Sequence, residues 1–482
     1  MSLKLTGNFC LPEKKYPFYI HLLLKIMHKI VVKVGGSNLK NTDSPEQVIA
    51  LMKSYSMPVI LVVSAFYGVT NRLEQAVAAG KPDTGLPGAL FRLHRDVLQR
   101  FVPEGPQRCE AERNLEELTE KLGILLASPQ SKEAATANAI LSFGERLSAV
   151  VIRSVLNSNG VSCRLAWPED IGLVSNRRFF QGSILLKKSE ENLKKSLDPQ
   201  TTYVVPGFYG VSGQGETVLL GRGGSDYSAA CLARCTHARY LDVWKDVEGY
   251  LSGDPKVIGG VKKIPHLSYL EAAELSYFGA RILHPRTIRP LVSKNIEVRI
   301  FNPEKHLGTQ SREASTRISR EHSTGTEIIK SVTGNEDIAL LKLKGSGVGI
   351  KKGILAEVTN AFDKARINIR SVVTSQTAIH FIFSRADARI AKKLVDRLSQ
   401  QLDFDTEVDD SIAWVAAVGQ GINQKEGIAA RIFTALARAG INVQQIVLGA
   451  SEVAVYFVVK RELAARAAQT IHHEFFTITK IK

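Results

Sequence analysis

Two five-residue apolar runs, IVVKV at 30–34 and VILVV at 59–63, constrain this chain more than any other feature. Both are rich in β-branched residues and bounded by turn residues, the pattern of central strands covered by helices on both faces. The stretch 44–56 between them reads as a helix opening at Ser44, with Pro45 in its first position. Helical tracts follow at 72–80 and roughly 86–156, and TYVVPGF, ETVLLG, YLDVW and EVRIF return as strands. This alternation predicts an α/β fold with an open, mainly parallel sheet sandwiched by helices. Ligands on such sheets sit at the carboxyl ends of the strands, where strand order reverses.

After about residue 310 the texture changes. SREASTRISREHSTGTE (311–327) is polar and without clear periodicity, and reads as a linker. Beyond it the chain repeats itself. GILAEVTNAFDKARINIRSVV begins at Gly353 and GIAARIFTALARAGINVQQIV at Gly427, an offset of 74 residues that also maps Ala365 on Ala439 and Asn368 on Asn442. Each copy reads strand, helix, strand, strand, helix and a final strand, the ferredoxin-like order, with strands 337–343 and 412–418 opening the copies. Strand pairs are expected near 369–374 and 379–383, and near 443–448 and 453–459. Two copies at so long a period mean a duplicated domain, either a dimerisation scaffold or a pair of ligand sensors. The expected division is an extension at 1–26, an α/β domain at 27–310, a linker at 311–330, and copies at 331–408 and 409–482.

The 63 Lys and Arg against 47 Asp and Glu give a net charge of +16, which favours anionic partners without choosing between nucleotide and nucleic acid. The five cysteines, Cys10, Cys109, Cys163, Cys231 and Cys235, are sparse and odd in number, which points to a reducing compartment. Cys231 and Cys235 share one side of an expected helix, where apolar packing is the better account than a metal. No apolar run reaches the ~18–20 residues that span a bilayer. The N-terminal segment carries Lys25 in its apolar part and no Arg, so it suits neither a signal peptide nor a transit sequence. A cytoplasmic protein with no membrane partner is expected.

Two glycine loops carry the candidate chemistry. Lys33 precedes Gly35, Gly36 and Ser37 at the end of the first strand, where the backbone can approach an anion and the ammonium adds a point charge. By itself this reads better as a plain turn with a solvated lysine, and neither a Walker loop nor G-x-G-x-x-G is present. The second loop runs Gly221-Arg222-Gly223-Gly224-Ser225-Asp226 into a helix, a site for an anion with Arg222 as a forked donor. Ser225 and Asp226 also suit simple helix capping. Two such loops, each with a cation, point to a nucleotide plus an anionic co-substrate. Glu145, in a helical stretch, reads alone as a solvated residue, and VWKDVEGYLSGDPK (243–256) as a loop that could wrap a nucleoside. No Ser or Cys lies close to His284 in sequence, and it reads as structural.

Taken together, KVGGSN, SAFYGVTN, FGERLS, LGRGGSDYSAA, VWKDVEGYLSGDP, SYLEAAELSYFGARILHP and FNPEKHLGT resemble, in order, the motifs of aspartate kinases in the amino-acid kinase family. The terminal repeats are similar to the tandem ACT domains of those enzymes, modules that commonly interlock. The resemblance implies an amino-acid kinase fold followed by two ferredoxin-like ACT domains, and the transfer of phosphate from ATP to the side-chain carboxylate of L-aspartate. It implies Lys33 and Asp226 as catalytic residues, and Ser37, Ser64, Thr70, Glu145, Arg222 and Ser225 around the amino acid. Gly35, Gly36, Lys245, Asp246, Tyr250, Lys256 and Arg281 map to the ATP side, with Mg²⁺ carried mainly on the phosphates rather than in a protein site. An amino-acid effector, lysine or threonine, is implied at Gly353, Ile354, Leu355, Ser375 and Gln376, and a homodimer or tetramer through the ACT domains, with no nucleic-acid partner.

The chain departs from the family pattern at several positions. Ser37-Asn38 replaces Thr-Ser, Leu251 stands at an often aromatic position, Arg281 replaces Lys, and Gln376 replaces the Glu of lysine-sensitive members. Two other readings compete: a related kinase acting on another acid, and an amino-acid sensor with a weakened kinase domain. The tandem tail argues against the first, and intact Lys33, Glu145, Arg222 and Asp226 against the second.

Overall fold

The computed structural model describes residues 29–79, 83–280, 282–306, 313–320 and 328–477. The segment 1–26 and Arg281 lie outside them. The chain divides into two compact units, one of residues 1–246 and 286–314 and the other of 247–285 and 315–482.

The first unit is built on parallel strands in the order Arg164–Leu165, Tyr203–Pro206, Val59–Val63, Ile30–Val34, Tyr240–Trp244 and Glu297–Phe301. From Ile30–Val34 the chain first adds strands on one side and later on the other, so the order reverses beside this strand. Val31, Val32, Val62 and Val63 are fully buried, as their two-sided apolar pattern predicts. The helix Ala134–Ser158 packs with Leu86–Phe101 and Pro106–Ala127 over one face, where Ile140, Leu147 and Leu156 join Val32 and Leu61 in one core. Breaks in the expected 86–156 tract fall at Pro103 and Pro129, which cannot donate to a helical ladder. On the strands also lies the helix Gly224–Cys235, whose Ala229, Ala230 and Ala233 permit close approach. Cys231 and Cys235 are both buried in this helix.

One expected strand takes another place. ETVLLG does not join the parallel sheet; Thr217–Leu219 pairs antiparallel with Tyr209–Val211 in a separate ribbon. The two segments are close in sequence, so a hairpin closes at low entropic cost before a distant strand is found.

In the second unit the first repeat forms a complete four-stranded sheet, ordered Ser371–Thr374, Ala378–Phe383, Ala339–Lys344 and Asp405–Asp409. The helices Ile354–Lys364 and Ala388–Leu402 cover it through Val358, Phe362, Ala391 and Val395. The second repeat supplies Ile412–Val418, Gln445–Val447 and Ala454–Lys460, and its outer position is filled by Ser331–Asn335. The strand that chain order assigns to the first repeat thus hydrogen-bonds in the second. The first repeat is threaded between a strand of the second and the remainder of it. Its physical ground is the edge of Ile412–Val418, which needs a partner for seven fully buried residues. The end of the chain, 478–482, lies outside the described residues. Within the expected linker, Thr316–Ser319 is a strand paired parallel with His266–Ser268, and Ile318 is fully buried. Four residues among charges are too short a run for periodicity to reveal.

The entry of the exchanged strand crosses the backbone at Gly419, where an added Cβ would lie 1.8 Å from the Ile328 carbonyl oxygen. Gly419→Ala is expected to destabilise the second repeat by about 1–3 kcal/mol, because backbone rather than a movable side chain must yield. Hydrogen exchange checks this: Ser331–Asn335 and Ile412–Val418 should lose protection together, while Ala339–Lys344 keeps it. Unchanged protection in all three strands would show that the crossing is not tight.

Candidate active site

Four neighbouring parallel strands end on one edge of the first unit, at Gly35, Ser64, Gly207 and Lys245. Lys33 sits one residue before the end of its strand, paired in register with Val62 and Val243, at the point where strand order reverses. Its Nζ lies 2.7 Å from Asp226 Oδ1. On the other oxygen, Lys245 Nζ donates to Asp226 Oδ2 at 3.0 Å. Asp226 stands in the first turn of Gly224–Cys235, where the positive end of the helix also favours its charge. Two ammonium groups and a helix N-terminus thus surround one carboxylate, leaving an excess of positive charge at the strand ends.

Burial alone would raise the Asp226 carboxyl, but the Lys245 and Lys33 charges bonded to it hold it well below the ordinary carboxylate range. Burial pulls Lys33 below the usual lysine value, with Asp226 opposing and Lys245 adding to the fall. The glycines beside Lys33 leave room for a ligand. A Cβ on Gly35 would lie 3.0 Å from Lys33 Nζ, and one on Gly36 2.9 Å from the Ala65 carbonyl oxygen. In the second loop Gly223 occupies the left-handed region at φ 67° as the N-cap of the helix that carries Asp226.

Glu145 joins this group from the helix Ala134–Ser158. It is 3% exposed, so it is not the solvated residue that its helical setting alone suggested. Burial pushes its carboxyl up to about 8, opposed by hydrogen bonding to backbone at Ala65, by the Lys33 charge and by the Ser225 hydroxyl. Its Oε2 is buried without a hydrogen-bond partner. Such an acid is suited to a cation that arrives with a ligand. Gly144, the residue before it, lets the helix press on Ala65: an added Cβ would meet Ala65 Cβ at 2.8 Å.

The remaining expected residues divide. Half-buried Ser64 donates its N–H to the Val34 carbonyl at 3.2 Å, and half-buried Thr70 lies in the first turn of Val69–Ala79. Burial would raise Asp246, but hydrogen bonds from Lys40 and Ser37 bring it below the usual value; Lys40 Nζ is 2.9 Å away. Asn38 Nδ2 donates to the Trp244 carbonyl at 2.7 Å and ties the first glycine loop to the end of the neighbouring strand. Arg222 is exposed. Tyr250 and Lys256 belong to the second unit. The Tyr250 ring is 1% exposed, with its hydroxyl 3.1 Å from Ser276 Oγ, so this side chain is packing and not an open stacking surface. Lys256 is exposed, its N–H bonded to Asp254 Oδ1 at 2.9 Å. At the expected effector positions, Gly353 caps Ile354–Lys364, Ile354 is 1% exposed and Leu355 is 42% exposed. Ser375 and Gln376 are exposed, and the Gln376 carbonyl accepts the Gly349 N–H at 3.1 Å.

Sequence reasoning missed Gly207 and Phe208. A Cβ on Gly207 would stand 2.8 Å from Ser225 Cβ, and Phe208 takes φ 72°, a conformation disfavoured for a bulky residue. The Phe208 carbonyl accepts the Leu220 N–H at 2.8 Å, and its N–H donates to Ser228 Oγ at 3.2 Å, so it braces both ends of the second glycine loop. The signal was the P-G-F that ends a buried strand. Among the described residues no three His, Cys, Asp or Glu side chains converge in a metal-binding group, and no helix is long and apolar enough to cross a membrane.

The amino acid kinase family matches residues 28–302, and ACT domains match 347–403 and 415–475. Aspartokinase 1, chloroplastic, of Arabidopsis thaliana is 30% identical over 92% of this chain and 80% of its own length. Lysine-sensitive aspartokinase 3 of Escherichia coli is 28% identical over 93% of this chain and all of its own. A bifunctional aspartokinase/homoserine dehydrogenase of Haemophilus influenzae is 30% identical, and this chain spans 57% of that relative's length. Among solved structures, E. coli aspartokinase III with aspartate and ADP superposes with a TM-score of 0.77 at 26% identity, covering 93% of this chain and 99% of its own. The same enzyme with lysine and aspartate gives 0.76 at 25% identity, covering 93% and 100%. The chain belongs to the amino acid kinase family as an aspartokinase, an ATP-dependent carboxyl phosphotransferase whose catalytic domain is followed by ACT domains.

Proposed function

We propose that the cluster of Lys33, Lys245 and Asp226 is the phosphoryl-transfer centre for the reaction of ATP with L-aspartate. The observation that carries this reading is one buried carboxylate gripping two lysines at the strand ends. A side-chain carboxylate oxygen of aspartate attacks the γ-phosphorus, the bond to the bridging oxygen of ADP breaks, and 4-phospho-L-aspartate results. That carboxylate is already ionised at neutral pH, so no general base is needed. Catalysis then rests on position and charge. Lys33 and Lys245 neutralise the transferring phosphoryl group, Asp226 holds them in place, and the N–H groups of Gly35 and Gly36 cradle phosphate oxygens. Glu145 receives the α-ammonium and Arg222 the α-carboxylate, with Ser37, Ser64, Thr70 and Ser225 completing the pocket. Asp246, Tyr250, Lys256 and Arg281 serve the nucleotide side, Tyr250 through its place in the loop.

Both Asp226 oxygens face lysines, so Mg²⁺ would be held mainly by the phosphates of ATP, where it would neutralise charge and set their geometry. The domain division at 27–310, 311–330, 331–408 and 409–482 is kept as a proposal, with strand 331–335 exchanged between the modules. Regulation by lysine at Gly353, Ile354, Leu355, Ser375 and Gln376 is supported by likeness to the lysine-bound relative; threonine is the alternative. Exposed Val372, Ile446 and Leu448 on or beside the edge strands support self-association into a dimer or tetramer. A cytoplasmic location completes the reading.

Lys33→Ala is expected to lower kcat by at least ~10²–10³-fold, the range for removing a preorganised charge from a transferring group. Trapping acyl phosphate with hydroxylamine measures this and identifies the acid used. Near-normal rates in the variant would remove Lys33 from catalysis. Product from another acid alone would select a different kinase, and no product from any acid a sensor.

Glu145 generates a pH prediction. With its carboxyl near 8, it is mostly protonated at pH 7 and must ionise to pair with an incoming ammonium. Aspartate binding at pH 7 should release a proton, and affinity should rise by up to about tenfold per pH unit until pH 8. Calorimetry in buffers of different ionisation enthalpy reads the proton. No release, or the same release in Glu145→Gln, would contradict the assignment. Without ligand, the native state holds a proton that the unfolded chain loses between about 4.5 and 8, so this residue lowers stability as pH rises through that window.

Titrating lysine and threonine in the hydroxamate assay tests regulation. Inhibition by lysine is expected and should persist in Leu448→Ala. No effect or binding of either amino acid would overturn the effector site.

A further inference from the structure

Lys33 and Lys245 reach Asp226 from neighbouring strands, but the two are held differently. Lys33 lies inside its strand, fixed by the ladder on both sides against Val62 and Val243. Lys245 stands one residue past the end of Tyr240–Trp244. Val243 is the partner of Lys33, and alternation along the strand turns Lys245, two residues further on, to the same face. That alternation holds only while the peptide between Trp244 and Lys245 keeps its strand orientation. Rotation of this one group would swing the Lys245 side chain off Asp226.

Both ends of that peptide are bonded. Its N–H, from Lys245, donates to the Phe301 carbonyl at 3.0 Å, and its carbonyl, from Trp244, accepts Asn38 Nδ2 at 2.7 Å. The two bonds come from opposite sides, since Ile30–Val34 and Glu297–Phe301 flank Tyr240–Trp244. Asn38 is 7% exposed and closes the short turn Gly36–Asn38, where its own N–H donates to the Gly35 carbonyl at 2.9 Å. Fully buried Leu39 anchors this turn in the core, and its carbonyl accepts the Tyr67 N–H at 2.9 Å. The Asn38 amide is therefore presented from a fixed base.

The strand leading to the peptide is fixed as well. Trp244 stacks on Phe301 with ring centroids 5.0 Å apart, and its Nε1 donates to the Tyr55 hydroxyl at 3.3 Å. Tyr55 donates to Asp242 Oδ2 at 2.7 Å, and Arg299 forks on the same buried carboxylate at 2.6 and 2.7 Å. What these contacts leave to be set is the terminal peptide. Lys40 and Ser37 bond the next side chain, Asp246, but Lys40 and Asp246 are both exposed and solvent weakens their pairing.

We propose that Asn38 is a positioning residue for phosphoryl transfer: by holding the Trp244 carbonyl it aims Lys245 at the phosphoryl group that Lys33 also meets. The proposal rests on the reading of the Lys33–Asp226–Lys245 cluster as the transfer centre. Asn38 stands where the family pattern has Ser, so the longer reach of an amide is a feature of this chain and not of the motif. It touches no reacting atom, and its loss should act on turnover and not on the affinity for aspartate.

Kinetics of the full chain in the hydroxamate assay supply the test. Asn38→Ala is expected to lower kcat about five- to tenfold, the weight of one buried hydrogen bond, with KM for aspartate changed less than twofold. Asn38→Leu, which keeps the volume but has no donor, should do the same. Lys245→Ala is expected to lower kcat ~10²-fold. Adding Asn38→Ala to it should change kcat less than twofold further, because the lysine through which Asn38 acts is gone. An unchanged kcat in whichever Asn38 variants fold would overturn the proposal, as would an effect confined to KM for aspartate, or the full loss repeated in the absence of Lys245. If neither Asn38 variant folds, Asn38 serves the fold and the positioning role is lost. Lys245→Ala alone separates the two levels. If it leaves kcat unchanged, the transfer reading of Lys245 fails; if it lowers kcat and the Asn38 variants do not, only the positioning role fails.

Discussion

The catalytic unit depends on keeping two ammonium groups and one carboxylate buried together. Lys33 and Asp226 are each 6% exposed, a costly placement for either charge alone. Asp226 makes it tenable by meeting Lys33 with one oxygen and Lys245 with the other. The arrangement also explains why the three residues come from separate elements. Two strand ends and a helix N-terminus converge only where the sheet changes direction, so no short motif could hold the whole set.

Interlocking of the repeats has a mechanical consequence. Because Ser331–Asn335 pairs with Ile412–Val418, the second repeat cannot complete its sheet without a segment that precedes the first. Displacement of that strand would draw on its neighbours at Leu251 and Ser252, which it bonds directly. Aromatic packing points the same way: Phe278, on the helix Tyr269–Phe278, meets Tyr456 at 4.6 Å and Trp414 at 5.3 Å. Buried Glu271 on that helix accepts from Ser268, Lys330 and Gln420 at once. The segment 251–278 is therefore part of the hydrogen-bonding and packing of the second repeat.

Much of this was legible in the chain. The buried strands announced themselves by β-branched runs, and the duplication by its constant offset. Lys33 and Asp226, which meet in the structure, stood beside glycines, where charge and backbone access coincide, whereas Arg222 in the same loop is exposed. Glu145 was legible only through the family motif, because its burial depends on helix packing that a single helical pattern does not encode. Strand exchange escaped for a similar reason: SVTGN carries no mark of which sheet will receive it. Tyr250 shows the opposite failing, since a motif can place a residue in a loop without telling whether its ring faces ligand or core.

A crystal structure of the chain with a non-hydrolysable ATP analogue and aspartate tests the central claim most directly. The account predicts γ-phosphate oxygens about 3 Å from both Lys33 Nζ and Lys245 Nζ, and the aspartate ammonium against Glu145. A nucleotide whose phosphates lie in another cleft, with the Lys33–Asp226–Lys245 cluster unchanged and untouched, would contradict it.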